Sequence, residues 1–130
     1  MTTKDWKNSS LFRKTLNSLN GFRVAFIKEK AIMQETVALV LTVTASVVLE
    51  CDGAQVVLVF LACLLPITLE LVNSAMEIFI DHVVGSAYRE EIRRAKDMLS
   101  AAVCLALIIG YSGSIWIIFF SAKRIPLPPL

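Results

Sequence analysis

LSAAVCLALIIGYSGSIWIIFF, residues 99–120, contains no Asp, Glu, Lys, Arg or His. It lies within a longer uncharged run, 98–122, bounded by Asp97 and Lys123. A helix that crosses the hydrocarbon of a bilayer needs about 20 mostly apolar residues, and this stretch meets that requirement unaided. Two shorter uncharged runs precede it, 36–49 between Glu35 and Glu50, and 53–69 between Asp52 and Glu70. The first reaches span length by drawing in Met33 to Glu35. The second does so only by continuing through Glu70 and Glu77 to Ile80, which carries two carboxylates into or beside the membrane. Composition agrees with a membrane reading. Apolar residues make up 56% of the 130 and charged residues 18%, and mean hydropathy is +0.68. A chain this short cannot hide such an excess in a core of its own.

The expectation is therefore an all-α integral membrane protein of one domain, 1–130, with spans at 33–49, 54–80 and 98–120. Glu50-Cys51-Asp52-Gly53 is a tight turn, so the first two spans form an antiparallel hairpin. The polar segment 82–96 joins the second to the third, and its run Tyr88-Arg89-Glu90-Glu91-Ile92-Arg93-Arg94 suits a surface helix. Ahead of the spans, Phe12, Leu16, Leu19, Phe22 and Phe26 recur three and four residues apart, with Arg13, Lys14, Asn17 and Asn20 between them. That spacing predicts an amphipathic helix over 9–31 lying in the headgroup layer, with a possible break at Asn20-Gly21. The first 34 residues lack the apolar stretch and cleavage site of a signal peptide. The proline-rich 125–130 cannot continue a helix, and Trp6 and Trp116 read as marks of the membrane interface.

Orientation follows from cationic residues. Lys4, Lys7, Arg13, Lys14, Arg23, Lys28 and Lys30 precede the first span, and Arg89, Arg93, Arg94 and Lys96 lie in the second connection, while the 50–53 turn holds none. The amino terminus and the 82–96 connection are thus expected on the cytoplasmic side, against a dissent from Lys123 and Arg124 alone. Net charge is +2, too small to argue for nucleic acid. Cys51, Cys63 and Cys104 form neither a CxxC pair nor an even set, and His82 is the single histidine, so no disulfide framework, zinc site or His-rich metal site is indicated.

The polar residues of the second span align. At 100° per residue, Glu70, Asn73, Ser74, Glu77 and Asp81 fall within an arc of about 100° and extend about 16 Å along the axis. This is one stripe descending from mid-membrane to the cytoplasmic surface. Carboxylates inside a span are costly, and they face protein or water where they occur. Lys96, Asp97 and Ser100 open the third span on a common face, and Glu29, Gln34 and Glu35 begin the first at similar depth. A hard divalent cation would relieve the mutual repulsion of so many carboxylates, and Mg²⁺ prefers one or two of them plus substrate phosphates. There is no GxxxxGK[ST] loop, protein-kinase signature or GxSxG elbow. Gly110-Tyr111-Ser112-Gly113 lies too deep to cradle phosphate and suits close helix packing. The remaining cluster of carboxylates, amide and lysine fits metal-assisted phosphoryl transfer at the lipid–water boundary. From another class, the stripe could be a cation or proton path in a small oligomeric transporter with Glu70 as carrier. An assembly subunit without chemistry would leave the carboxylates unexplained.

Glu70-x-x-Asn73-Ser74-Ala75-x-Glu77-x-x-x-Asp81, followed by Ala95-Lys96-Asp97-x-x-Ser100-Ala101-Ala102-Val103, resembles the signature of the bacterial diacylglycerol kinase family. Glu29, the Gln34-Glu35 pair and Gly21-x-Arg23-x-Ala25 are similar as well, and the likeness runs from about residue 9 to 120. The resemblance implies a homotrimeric inner-membrane enzyme with active sites between subunits, which moves the γ-phosphate of MgATP to the hydroxyl of diacylglycerol. A related branch phosphorylates undecaprenol. By the same resemblance, Glu70 is the general base, and Glu29 and Glu77 are ligands of Mg²⁺ and contacts of ATP. Lys96 meets phosphate, and Asn73, Asp81 and Asp97 are further nucleotide contacts. Gln34, Glu35, Ser100 and Arg23 line the site. The chain departs from the family pattern at Leu19, around Val83-Val84, at Ala87 and Arg89 near the adenine end, and at Leu99.

Overall fold

The computed structural model describes residues 11–85 and 89–122. Trp6, Lys4, Lys7, Ala87, Tyr88, Lys123, Arg124 and the proline tail lie outside the described residues. Four helices follow one another, α1 (Leu11–Lys28), α2 (Lys30–Val48), α3 (Gly53–Val84) and α4 (Glu90–Ala122). The described residues contain no strand. The last three are long and apolar enough to cross a membrane.

α1 carries its apolar residues outward. Leu11, Phe12, Leu16, Leu19 and Phe22 are all exposed, and no residue of the helix is buried. An apolar stripe without a protein partner suits the lipid boundary. The helix runs unbroken through Asn20 and Gly21, contrary to the expected break. One glycine costs a helix only about 1 kcal/mol, and a flat apolar surface under the helix supports both halves alike. The chain turns instead at Glu29, whose extended backbone (φ −100°, ψ 108°) makes it the residue that precedes α2. Glu29 N–H still donates to the Ala25 carbonyl and its own carbonyl accepts from Met33, so the elbow is one residue long.

At the other end of the hairpin, Glu50 takes a positive φ of 58°, and Asp52 starts α3. The Asp52 carboxylate accepts from Gln55 N–H while the Gln55 side chain accepts from Asp52 N–H, both at 2.9 Å. This reciprocal cap satisfies two of the amides that a helix start leaves open.

α3 has 32 residues and α4 has 33, each about 48 Å long by helical rise. Both outrun a hydrocarbon core of about 30 Å. They extend past the spans expected at 54–80 and 98–120, chiefly at the end bearing Asp81 and Lys96. α3 is central and packs along α2 on one side and α4 on the other, whereas α1 touches the bundle lightly. The core is thin, namely Ile32, Val59, Cys63, Ile67, Val103 and Ala106. Val37, Leu41, Leu58, Phe79, Ile108, Ile115 and Trp116 are among the many large apolar side chains left exposed.

The α3–α4 crossing explains two residues. Pro66 sits buried inside α3 and has no N–H, so the Ala62 carbonyl loses its helical partner. Gly110 of α4 lies against that carbonyl, where any Cβ would collide with the Ala62 oxygen. The close approach lets the glycine Cα hydrogens face the open carbonyl. One turn along, Ser114 Oγ donates to the Gly110 carbonyl at 2.8 Å and lies 3.3 Å from Cys63 Sγ, all buried. The serine has a single hydroxyl proton, so the Cys63 thiol donates to Ser114. Gly113, by contrast, faces open space and takes no part in this contact.

Candidate functional site

The polar face of α3 is graded. Asn73 and Ser74 are buried, Glu70 and Glu77 half-buried, and Asp81 exposed. The stripe therefore begins inside the bundle and emerges at its polar end. Asn73 lies one turn from Glu70, near enough for its side-chain amide to act on the Glu70 carboxylate. Asn73 Oδ1 is enclosed and has no partner among the described residues. Glu77 and Glu29 both stand close enough for their charges to act on Glu70.

α2 contributes Glu35, only 8% exposed, with Oε2 enclosed and without a partner among the described residues. Glu70 stands near enough for the two carboxyl groups to influence one another. Two unsatisfied buried acceptors beside a carboxylate are costly in a bare protein, and a ligand's hydroxyl donor would satisfy one of them. Gln34, one residue earlier, is exposed, because adjacent helical positions point about 100° apart. In the single chain it does not join Glu35.

α4 supplies Lys96, whose Nζ lies 2.6 Å from Asp81 Oδ1. This pair ties the polar ends of α3 and α4 together. The Lys96 charge is also within reach of Glu77. Asp97 is held differently. Arg93 donates through Nη1 to Asp97 Oδ2 at 2.8 Å, and through Nη2 and Nε to both oxygens of Glu90. Arg94 adds a longer contact to Glu90 at 3.4 Å. This ladder on the first turns of α4 was not part of the sequence expectation. The spacing of Glu90, Arg93 and Asp97, three and four residues apart, is the signal that predicts it. Ser100 and Arg23 are exposed and are not gathered with the others in one chain.

A groove of about 480 Å³ runs between α1 and α3. It is walled by Gly21, Ala25 and Glu29 on one side and by Leu71, Ser74 and Ile78 on the other. Its lining is mostly apolar and Glu29 stands at its edge, beside the elbow. Among the described residues no three His, Cys, Asp or Glu side chains converge to hold a metal by themselves. Tyr111, also absent from the expected site, reaches from α4 to α2, where its hydroxyl donates to the Glu35 carbonyl at 3.4 Å. A tyrosine within a span needs a partner for its hydroxyl, which is the sequence signal that marks it.

Four helices, three of them long and apolar, with a carboxylate stripe that opens at a lysine, define a membrane protein built for chemistry at the lipid boundary. The chain matches the family described as prokaryotic diacylglycerol kinase over residues 16–120. It is 42% identical over 93 residues to the diacylglycerol kinase of Escherichia coli K12, covering 72% of this chain and 75% of that one. It is 35% identical over 112 residues to the diacylglycerol kinase of Haemophilus influenzae, covering 85% and 92%. The Helicobacter pylori 26695 diacylglycerol kinase is 32% identical over 98 residues, covering 75% and 76%. The chain belongs to the prokaryotic diacylglycerol kinase family, and its enzyme class is that of a lipid kinase.

Proposed function

We propose that the chain is an ATP-dependent diacylglycerol kinase of the bacterial inner membrane. It converts diacylglycerol and ATP to phosphatidic acid and ADP on the cytoplasmic side. The observation that carries this reading is the graded face of α3, on which a half-buried carboxylate, Glu70, is continuous with an exposed lysine–aspartate pair, Lys96–Asp81. A lipid hydroxyl reaches the first from within the leaflet, and a nucleotide reaches the second from water. The family membership favours this over a transporter or an assembly subunit.

In the proposed mechanism Glu70 accepts the proton of the lipid hydroxyl as its oxygen bonds to the γ-phosphorus. The bond from that phosphorus to the β,γ-bridging oxygen breaks, and ADP leaves with the electron pair. Asn73, one helical turn from Glu70, stands beside that carboxylate and orients it. Lys96 exchanges Asp81 for phosphate oxygens, and Asp97 completes the nucleotide contact. Glu29 and Glu77 are two hard oxygen donors on adjoining elements, a set that fits Mg²⁺ when phosphate and water complete the shell. Held by these two carboxylates, Mg²⁺ would supply neutralisation of phosphate charge. Glu35, Gln34, Ser100 and Arg23 line the site in this reading. Three of those four are exposed in the single chain, which supports a homotrimer whose neighbours cover them.

The test is incubation of purified protein in mixed micelles with γ-labelled ATP and, separately, diacylglycerol or undecaprenol. Label in phosphatidic acid supports the proposal. Label only in undecaprenyl phosphate keeps the mechanism and changes the lipid, and label in neither lipid rejects it.

A further inference from the structure

α2 is weakly secured where it matters most. Its first residues follow a single-residue elbow, and Glu29 makes no side-chain cap to the open amides of the helix start. α2 and α4 do not pack along one another as each does along α3. Within this loosely held end lies Glu35, buried, with one carboxylate oxygen unpartnered among the described residues. A carboxyl buried on so lightly held a turn shifts with α2 unless something opposes the shift.

Tyr111 is placed to oppose it. Its ring is half-buried and its hydroxyl donates to the Glu35 carbonyl at 3.4 Å. The segment of α4 that carries it does not move freely. Gly110 is seated against the Ala62 carbonyl beside Pro66, and Ser114 bonds both the Gly110 carbonyl and Cys63. These contacts flank Tyr111 on either side and make the α3–α4 crossing its foundation. A hydroxyl on a fixed support, bonded to the backbone of the residue beside the proposed base, sets the position of that residue.

We infer that Tyr111 is a positioning residue, which holds Glu35 and the adjoining turn of α2 at the lipid end of the site by anchoring the Glu35 carbonyl to the α3–α4 crossing. It touches neither phosphate nor lipid. This inference rests on the lipid-kinase reading for its consequence, and on geometry alone for the anchor, so the two are tested apart.

Tyr111→Phe removes the hydroxyl and keeps the ring. In mixed micelles the variant should show a KM for diacylglycerol raised about two- to tenfold, the factor a single neutral hydrogen bond supplies, with the KM for ATP unchanged. The same substitution in a Glu35→Gln background should cost less than in the parent, since effects that act through one residue do not add. Equal costs in both backgrounds overturn the inference, as does a parallel loss in both KM values with a lowered melting temperature. The anchor is read without turnover by backbone hydrogen exchange in nanodiscs. Exchange over 36–39 should quicken in Tyr111→Phe while that over 59–67 of α3 holds. Unchanged exchange at 36–39 overturns the inference even if lipid is phosphorylated. Faster exchange at 36–39 in Tyr111→Phe than in the parent, with the parent labelling no lipid, keeps the anchor and rejects the kinase reading.

Discussion

Glu70 is the residue on which the proposed chemistry turns, and its surroundings state what its replacement should do. It lies about 10 Å further along α3 than Glu77 by helical rise, half-buried and within the influence of the Asn73 amide. Glu70→Gln preserves size and hydrogen bonding and removes the base. The expected outcome is a rate lower by about 10²–10⁴ with ATP affinity nearly constant, measured by steady-state kinetics beside nucleotide titration. A variant that turns over at the parent rate removes Glu70 from the base role, and collapse of ATP binding moves it to the nucleotide site. Glu29 and Glu77 call for a different measurement. Glu77→Gln, and separately Glu29→Gln, should raise the Mg²⁺ concentration needed for half-maximal rate, because a neutral amide is the poorer hard-cation ligand. Identical Mg²⁺ curves for both variants and the parent exclude them as ligands.

Among the elements, α4 joins site and scaffold. Lys96 meets Asp81 at its polar end and Gly110 meets Ala62 near its middle, so a shift of the crossing is felt along the helix. Gly110→Ala should destabilise the protein by about 1–3 kcal/mol, the usual cost of overpacking, because the obstructing atom is a backbone oxygen that cannot rotate away. Gly113→Ala, facing open space, serves as its control and should melt like the parent; the comparison is made by thermal unfolding in micelles. A variant of Gly110 as stable as that control would show that α4 can lift away from Pro66 at no cost. The pattern of these elements was largely legible beforehand, because apolar runs and cationic bias report burial in lipid directly. The stripe on α3 was legible for the same reason, since its five polar residues lie on one helical face. Contacts between helices were not. The carbonyl that Pro66 frees follows from the helix register, but no periodicity marks that Gly110 rather than Gly113 faces it, or that Tyr111 crosses to α2. Even neighbours diverge, since Glu35 is buried and Gln34 exposed, a difference decided by how α2 rotates against α3.

At the scale of the whole molecule, the asymmetry between the two ends of the bundle governs both insertion and function. One end is the Asp52-capped turn without a single Lys or Arg. The other gathers the α1–α2 elbow, the Lys96–Asp81 pair and the Glu90–Arg93–Asp97 ladder. Cationic segments are retained in the cytoplasm, where ATP is available, so in the proposed orientation one bias would place the terminus and bring the Lys96–Asp81 end to the nucleotide. α1 leads into that same end, and in the proposed reading its exposed Phe12, Leu16 and Leu19 would lie in the leaflet from which a lipid alcohol approaches Glu70. The arrangement predicts that cysteines introduced singly at Gly53 and Ser86, in a chain lacking Cys51, Cys63 and Cys104, react with an impermeant maleimide from opposite sides of intact cells and inverted vesicles. Gly53 should label from outside and Ser86 only after inversion. Labelling of both from one side would contradict three crossings. The reverse assignment would keep the crossings but put the Lys96–Asp81 end away from cytoplasmic ATP, and the proposed kinase could not then draw on that pool.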